Sequence, residues 1–215
     1  MIISHGRRFI FVHIPKTAGT AMALALEGRA MRDDILIGDT PKAKRRKGRL
    51  ADLTPQGRLW KHSTLRDIGG VVSPEQLEAY FVFTLVRNPW DRIVSYYHWL
   101  QDQSFAHPAV RLAQETGFSE FLNTTHTQDS LMANPYDSYV TDAQGVNRCN
   151  LFARLEHLSE DLMPLWDHLG FTLELPRANV STRRADWRSY YSDADAALVS
   201  RIAAQDIAQF GYAFE

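Results

Sequence analysis

Apolar positions in the first hundred residues fall into two kinds of run. Residues 8–14 (RFIFVHI) are rich in β-branched and aromatic side chains and break at Pro15, which predicts a strand running into a loop. After the loop PKTAGT comes AMALALEGRAM, a run of strong helix formers in which Thr20 is placed to cap the start. Residues 80–87 (YFVFTLVR) are apolar almost throughout, as expected of a strand at the centre of a parallel sheet covered on both faces. Asn88-Pro89 ends that strand. Trp90, Ile93, Val94, Tyr97 and Leu100 then recur at helical spacing and predict an amphipathic helix. Strand, tight loop, helix therefore occurs twice, and this is the unit from which nucleotide-binding α/β domains are built.

Elsewhere the pattern is thinner. Ser73-Pro74-Glu75-Gln76 is a capping box with proline at the first helical position, predicting a short helix that ends before Tyr80. Residues 101–148 carry mixed signals, with short helical pieces such as 118–122. A strand is expected over 151–155, then a helix opening near Ser159 and closing at Gly170, delayed or kinked by Pro164. Ser192-Asp193-Ala194-Asp195 opens a final helix whose Leu198, Val199, Ile202, Ala203, Ile207 and Phe210 form one stripe, stopped by Gly211. No repeat or low-complexity linker divides the chain. The expectation is an α/β fold, a single domain over 1–215 with a central parallel sheet flanked by helices.

Composition narrows the function classes. With 24 Lys plus Arg against 25 Asp plus Glu, the net charge of −1 argues against nucleic-acid binding driven by bulk charge. The 45% apolar content argues against disorder as the main state. The longest apolar runs are too short to cross a bilayer and the start of the chain lacks a signal-peptide pattern, so a cytoplasmic protein without a membrane span is expected. The single cysteine, Cys149, excludes an internal disulfide and a cysteine-rich metal cluster. His5, His107, His126, His157 and His168 show no zinc-site pattern, and His98, among aromatic residues, reads as packing.

Two segments carry candidate chemistry. The loop Pro15-Lys16-Thr17-Ala18-Gly19-Thr20 lies between a buried strand and a helix start. Backbone N–H groups and the helix dipole favour an anion there, Lys16 adds a full charge, and Thr17 and Thr20 add hydroxyls. It is not a Walker A loop, because Lys16 follows Pro15 and the one glycine comes after the lysine. The plainer reading is a strand-to-helix turn with a solvent-facing lysine. Arg87, at the end of the second strand, and Ser95, eight residues on in the next helix, make a second anion site. Asp91 and Arg92 read instead as a first-turn charge and a structural ion pair. Residues 42–49 (KAKRRKGR) hold six positive charges in eight positions. A solvated, mobile loop is the preferred reading of that block, and an anion-attracting substrate loop the sharper alternative.

Taken together, HIPKTAGT and LVRNPWDRIVSYY resemble the sulfotransferases, specifically the branch containing heparan sulfate 2-O-sulfotransferase and its bacterial relatives. The resemblance implies a P-loop-NTPase-like sulfotransferase fold and 3′-phosphoadenosine 5′-phosphosulfate (PAPS) as donor. It assigns the 5′-phosphosulfate to Lys16, Thr17, Ala18, Gly19, Thr20 and Ala21, and the 3′-phosphate to Arg87 and Ser95. Where many animal members have an arginine ahead of Pro-Lys-Thr, this chain has His13. His62, in Trp60-Lys61-His62-Ser63-Thr64, lies where the carbohydrate-acting branch carries its catalytic histidine, which makes it the candidate general base; a loop hydrogen bond is the plainer reading. By similarity a residue among Ser181, Thr182, Arg183 and Arg184 touches the 3′-phosphate, although surface arginines ahead of a core cluster of Trp187, Tyr190 and Tyr191 fit equally well.

The expected activity is sulfuryl transfer from PAPS to an acceptor hydroxyl, with a carbohydrate favoured by the resemblance. In that scheme His62 accepts the acceptor's proton, Lys16 neutralises charge on the departing phosphate, and no metal is required. One rival is a small nucleotide kinase, which predicts ATP and magnesium dependence but lacks Walker spacing here. The other is a non-catalytic protein binding a nucleotide or an anionic glycan, the latter through residues 42–49.

Overall fold

The computed structural model of the chain describes residues 1–176 and 183–215. Its first half runs β1 (Ile2–Ser4), β2 (Phe9–Val12), α1 (Gly19–Gly28), β3 (Ile35–Leu36), α2 (Pro41–Arg46), α3 (Pro74–Ala79), β4 (Phe81–Val86) and α4 (Pro89–Gln101). The helices α5 (Pro108–Glu115), α6 (Phe118–Asn123), α7 (Thr125–Ala133) and α8 (Tyr136–Val140) follow. Then come β5 (Leu151–Arg154), α9 (Leu158–Asp161), α10 (Met163–Leu169), α11 (Asp193–Ile202) and α12 (Ala204–Phe210). The chain divides into two compact units, residues 1–86 with 136–176, and residues 87–135 with 183–215.

The first unit is mixed α/β. Its five strands lie in the order β3-β1-β2-β4-β5, with β2, β4 and β5 parallel. β1 runs antiparallel to both β2 and β3, so a parallel core carries an antiparallel edge. The register sets Leu36, Ile2, Phe11, Phe83 and Leu151 in one row across the sheet. That face packs on Met22, Ala23 and Leu26 of α1 and on Leu162 and Leu165, with the Phe11 and Phe83 rings 5.1 Å apart. Ile3, Ile10, Val12, Val82 and Val86 alternate with this row and are also buried, which is why the strands read as unbroken apolar runs. Thr84, buried among them, donates its hydroxyl to the Val12 carbonyl at 2.8 Å and so leaves no unpaired polar group.

The second unit is helical. Trp90, Ile93, Val94, Tyr97 and Leu100, the predicted stripe of α4, are buried with Val110, Phe118, Phe121, Leu122, Leu198 and Val199. Trp187, Tyr190 and Tyr191 pack against this core.

Several local expectations hold. Ser73 and Gln76 form the capping box of α3, Pro164 marks a break between α9 and α10, and α10 ends at Gly170 with φ +73°. Others change. Thr20 lies inside the first turn of α1, whose N-cap is Ala18 without a side-chain cap. The basic block is helical, because Thr40 caps the Ala43 N–H and Pro41 opens α2. Lys42 donates to the Glu27 carbonyl, Arg46 to that of Met31 at 2.8 Å, and Arg49 to that of Arg32 at 2.5 Å. The final helix is two helices separated at Ala203, a break that nothing in the sequence marks. Among the described residues no helix is long and apolar enough to cross a membrane.

Candidate functional site

In the first unit the loop after β2 is built on unusual backbone. Lys16 and Ala18 both adopt left-handed φ, +67° and +62°, which costs a residue with a Cβ and is the kind of backbone from which anion-binding nests are built. Thr17 is buried and donates its hydroxyl to the Ile14 carbonyl at 2.9 Å, so it fixes the loop and offers a ligand only its main chain. The Thr20 side chain is the more open hydroxyl. Gly19 has no room for a side chain: a Cβ there would sit 2.0 Å from Cδ2 of the His13 ring.

His62 lies in a turn of the same unit. Its Nδ1 is 2.7 Å from the His13 carbonyl oxygen, and since a carbonyl only accepts, Nδ1 carries the proton and Nε2 the lone pair. The ring meets His13 edge-on at 4.6 Å and Trp60 at 4.9 Å. Burial, with the nearby Lys61 cation, pushes the His62 pKa down to about 4, against a smaller opposing effect of the His13 carbonyl. His13 is held well below the usual histidine range by burial first and then by His62, Lys61 and Lys16. Both imidazoles are therefore neutral at pH 7. The sequence singled out His62 but treated His13 only as a departure from a family pattern. Its part, presenting the carbonyl that orients His62, follows from the chain path and has no sequence signal.

In the second unit Arg87 donates to Asp91 through Nε at 2.7 Å and Nη2 at 2.5 Å. Arg183 donates through Nη2 to the other oxygen of Asp91 at 2.6 Å. All three side chains are only 12–15% exposed. Ser95 is buried on the same helix, one turn beyond Asp91. Arg183 thus joins Arg87, whereas Arg184 points elsewhere. Its backbone N–H donates to the Tyr190 hydroxyl at 3.1 Å, and its exposed guanidinium lies 5.1 Å over the Tyr190 ring. Ser181 and Thr182, the other candidates of that stretch, lie outside the described residues. Asp91 makes the structural ion pair expected of this stretch, with Arg87 four residues before it, and adds Arg183 as a second partner.

The Sulfotransferase family model matches residues 1–213, nearly the whole chain. No curated protein sequence matches it. Among solved structures, mouse sulfotransferase SULT7A1 complexed with PAP is similar at a TM-score of 0.47 and 12% identity, over 93% of this chain and 83% of that one. By the family match, the chain belongs to the sulfotransferase family.

Proposed function

We propose that the protein transfers a sulfuryl group from PAPS to an acceptor hydroxyl, with carbohydrates the favoured acceptor class. The observation that carries this reading is the His62 imidazole, neutral, with Nδ1–H fixed on the carbonyl of His13, the residue that leads into the Lys16 loop. A proton acceptor is thereby anchored to the loop best suited to hold an anion. In the proposed reaction the acceptor O–H gives its proton to Nε2 of His62 while the oxygen bonds to sulfur and the bond from sulfur to the bridging phosphate oxygen breaks. Lys16 and the N–H groups of Thr17, Ala18, Gly19 and Thr20 neutralise the charge growing on that departing oxygen, while the Ala21 N–H is taken by the Ala18 carbonyl at 3.0 Å. Arg87, Ser95 and Arg183 are assigned to the 3′-phosphate, a doubly charged group that suits paired guanidinium donors. The scheme uses no metal.

The test is a sulfate-transfer assay on the full chain with PAPS and a panel of glycan, lipid and phenolic hydroxyls, beside calorimetry with 3′-phosphoadenosine 5′-phosphate, AMP and ATP. Turnover with PAPS, strongly reduced in Lys16→Ala and His62→Ala, is the expected result. Magnesium-dependent phosphoryl transfer from ATP, or nucleotide binding with no acceptor turned over, would overturn it.

A further inference from the structure

Asp91 accepts from two guanidinium groups, one on each carboxylate oxygen. All three side chains are largely shielded from water. Among the described residues Nη1 of Arg183 is buried and has no hydrogen-bond partner. Buried donors are satisfied almost without exception, so an orphan on a buried cation marks the place of an absent acceptor. An oxyanion supplies the missing acceptor. Ser95 adds a hydroxyl on the face of α4 that bears Asp91.

We infer that Asp91 is a positioning residue for recognition of the donor's 3′-phosphate. It takes one edge of each guanidinium, so that Arg87 and Arg183 are held to the same carboxylate and the free Nη1 edge of Arg183 is aimed at the phosphate. It also ties the segment beginning at Arg183 to α4. The carboxylate is not a competitor that the phosphate displaces, because an expelled Asp91 would be left as a poorly solvated charge without partners. This inference rests on the donor reading above.

Calorimetry on the full chain separates the two. The probes are 3′-phosphoadenosine 5′-phosphate and AMP, which lacks the 3′-phosphate. Asp91→Asn should weaken the first by about tenfold or more, the worth of one hydrogen bond to a charged group, and leave AMP within about twofold. Asp91→Glu, which keeps the carboxylate, should recover part of the loss. In an Arg183→Ala background, Asp91→Asn should cost much less than it does alone, since the two residues act through one contact. Unchanged or tighter binding of 3′-phosphoadenosine 5′-phosphate by Asp91→Asn overturns the inference, as does an equal loss for both nucleotides or a variant that does not fold. If the unaltered protein fails to distinguish the two nucleotides, the donor reading itself falls.

Discussion

His62 sets the conditions under which the proposed chemistry runs. A general base works only unprotonated, and burial holds this imidazole's pKa at about 4 in the free protein. The kcat/KM for PAPS should therefore be flat across neutral pH and fall on acidification, with its acid limb near 4 instead of near 6.5, the ordinary histidine range. A pH series of initial rates checks this, and an acid limb near 6.5 would mean that burial does not lower the pKa of the catalytic base. Replacing it by Gln should lower kcat by about 10²–10⁴, the usual worth of general-base catalysis, with little change in nucleotide affinity. The support behind His62 is testable as well. A Cβ on residue 19 would collide with the His13 ring 2.0 Å away, and His13 is the residue whose carbonyl fixes Nδ1 of His62. Gly19→Ala should thus cost about 1–3 kcal/mol through overpacking and lower kcat further than that loss explains, read from denaturant curves beside kinetics.

At the scale of elements, Asp195 shows how the helices of the second unit are joined. It closes the capping box of α11 with Ser192, and its carboxylate also accepts from Ser119 at 2.8 Å and Asn123 at 2.7 Å on α6. Ser192→Ala should cost about 1 kcal/mol as a lost cap. Asp195→Ala should cost about 2–3 kcal/mol, since it strips the α6 donors of their shared acceptor as well; urea unfolding of both variants ranks them. The cap was legible in Ser192 and Asp195, but the α6 contacts were not, because they join positions over seventy residues apart. The same division runs through the fold. YFVFTLVR and the stripe from Trp90 to Leu100 announce their elements because period and burial agree locally. β1, three residues long, does not, and its antiparallel pairing with β2 and β3 depends on a register that no local pattern encodes. Residues 42–49 read as a loop because charge dominates them; the helix there depends on the Thr40 cap, on buried Ala43, and on distant carbonyls that receive Lys42, Arg46 and Arg49. Lys16, Arg87 and Ser95 could be picked out by type and spacing, whereas the partnership of Arg183 with Asp91 spans 92 positions.

Over the whole molecule the charge nearly cancels, at −1, so a nucleotide bearing two phosphates would gain little from the long-range field and would draw its affinity from local cations. Binding to the folded chain alone then appears as stability. At a free concentration of 100 times Kd, 3′-phosphoadenosine 5′-phosphate should contribute about 2.7 kcal/mol, which for a chain of this size raises Tm by about 5–10 °C. The two proposed anion sites belong to different compact units and are assigned different phosphates, which makes their variants distinguishable. Lys16→Ala should shrink the shift given by both 3′-phosphoadenosine 5′-phosphate and AMP, since each carries a 5′-phosphate. Arg87→Ala should shrink the shift given by the first and spare that given by AMP. Charge reversal at Lys44, Arg45 and Lys47, which are exposed on α2 and just after it, should leave both shifts unchanged at 0.15 M salt, where screening confines exposed charges to about 8 Å. Differential scanning fluorimetry of these variants with the two nucleotides checks all of it. A pattern in which Lys16→Ala and Arg87→Ala lose the same response would show that one phosphate, not two, is being read.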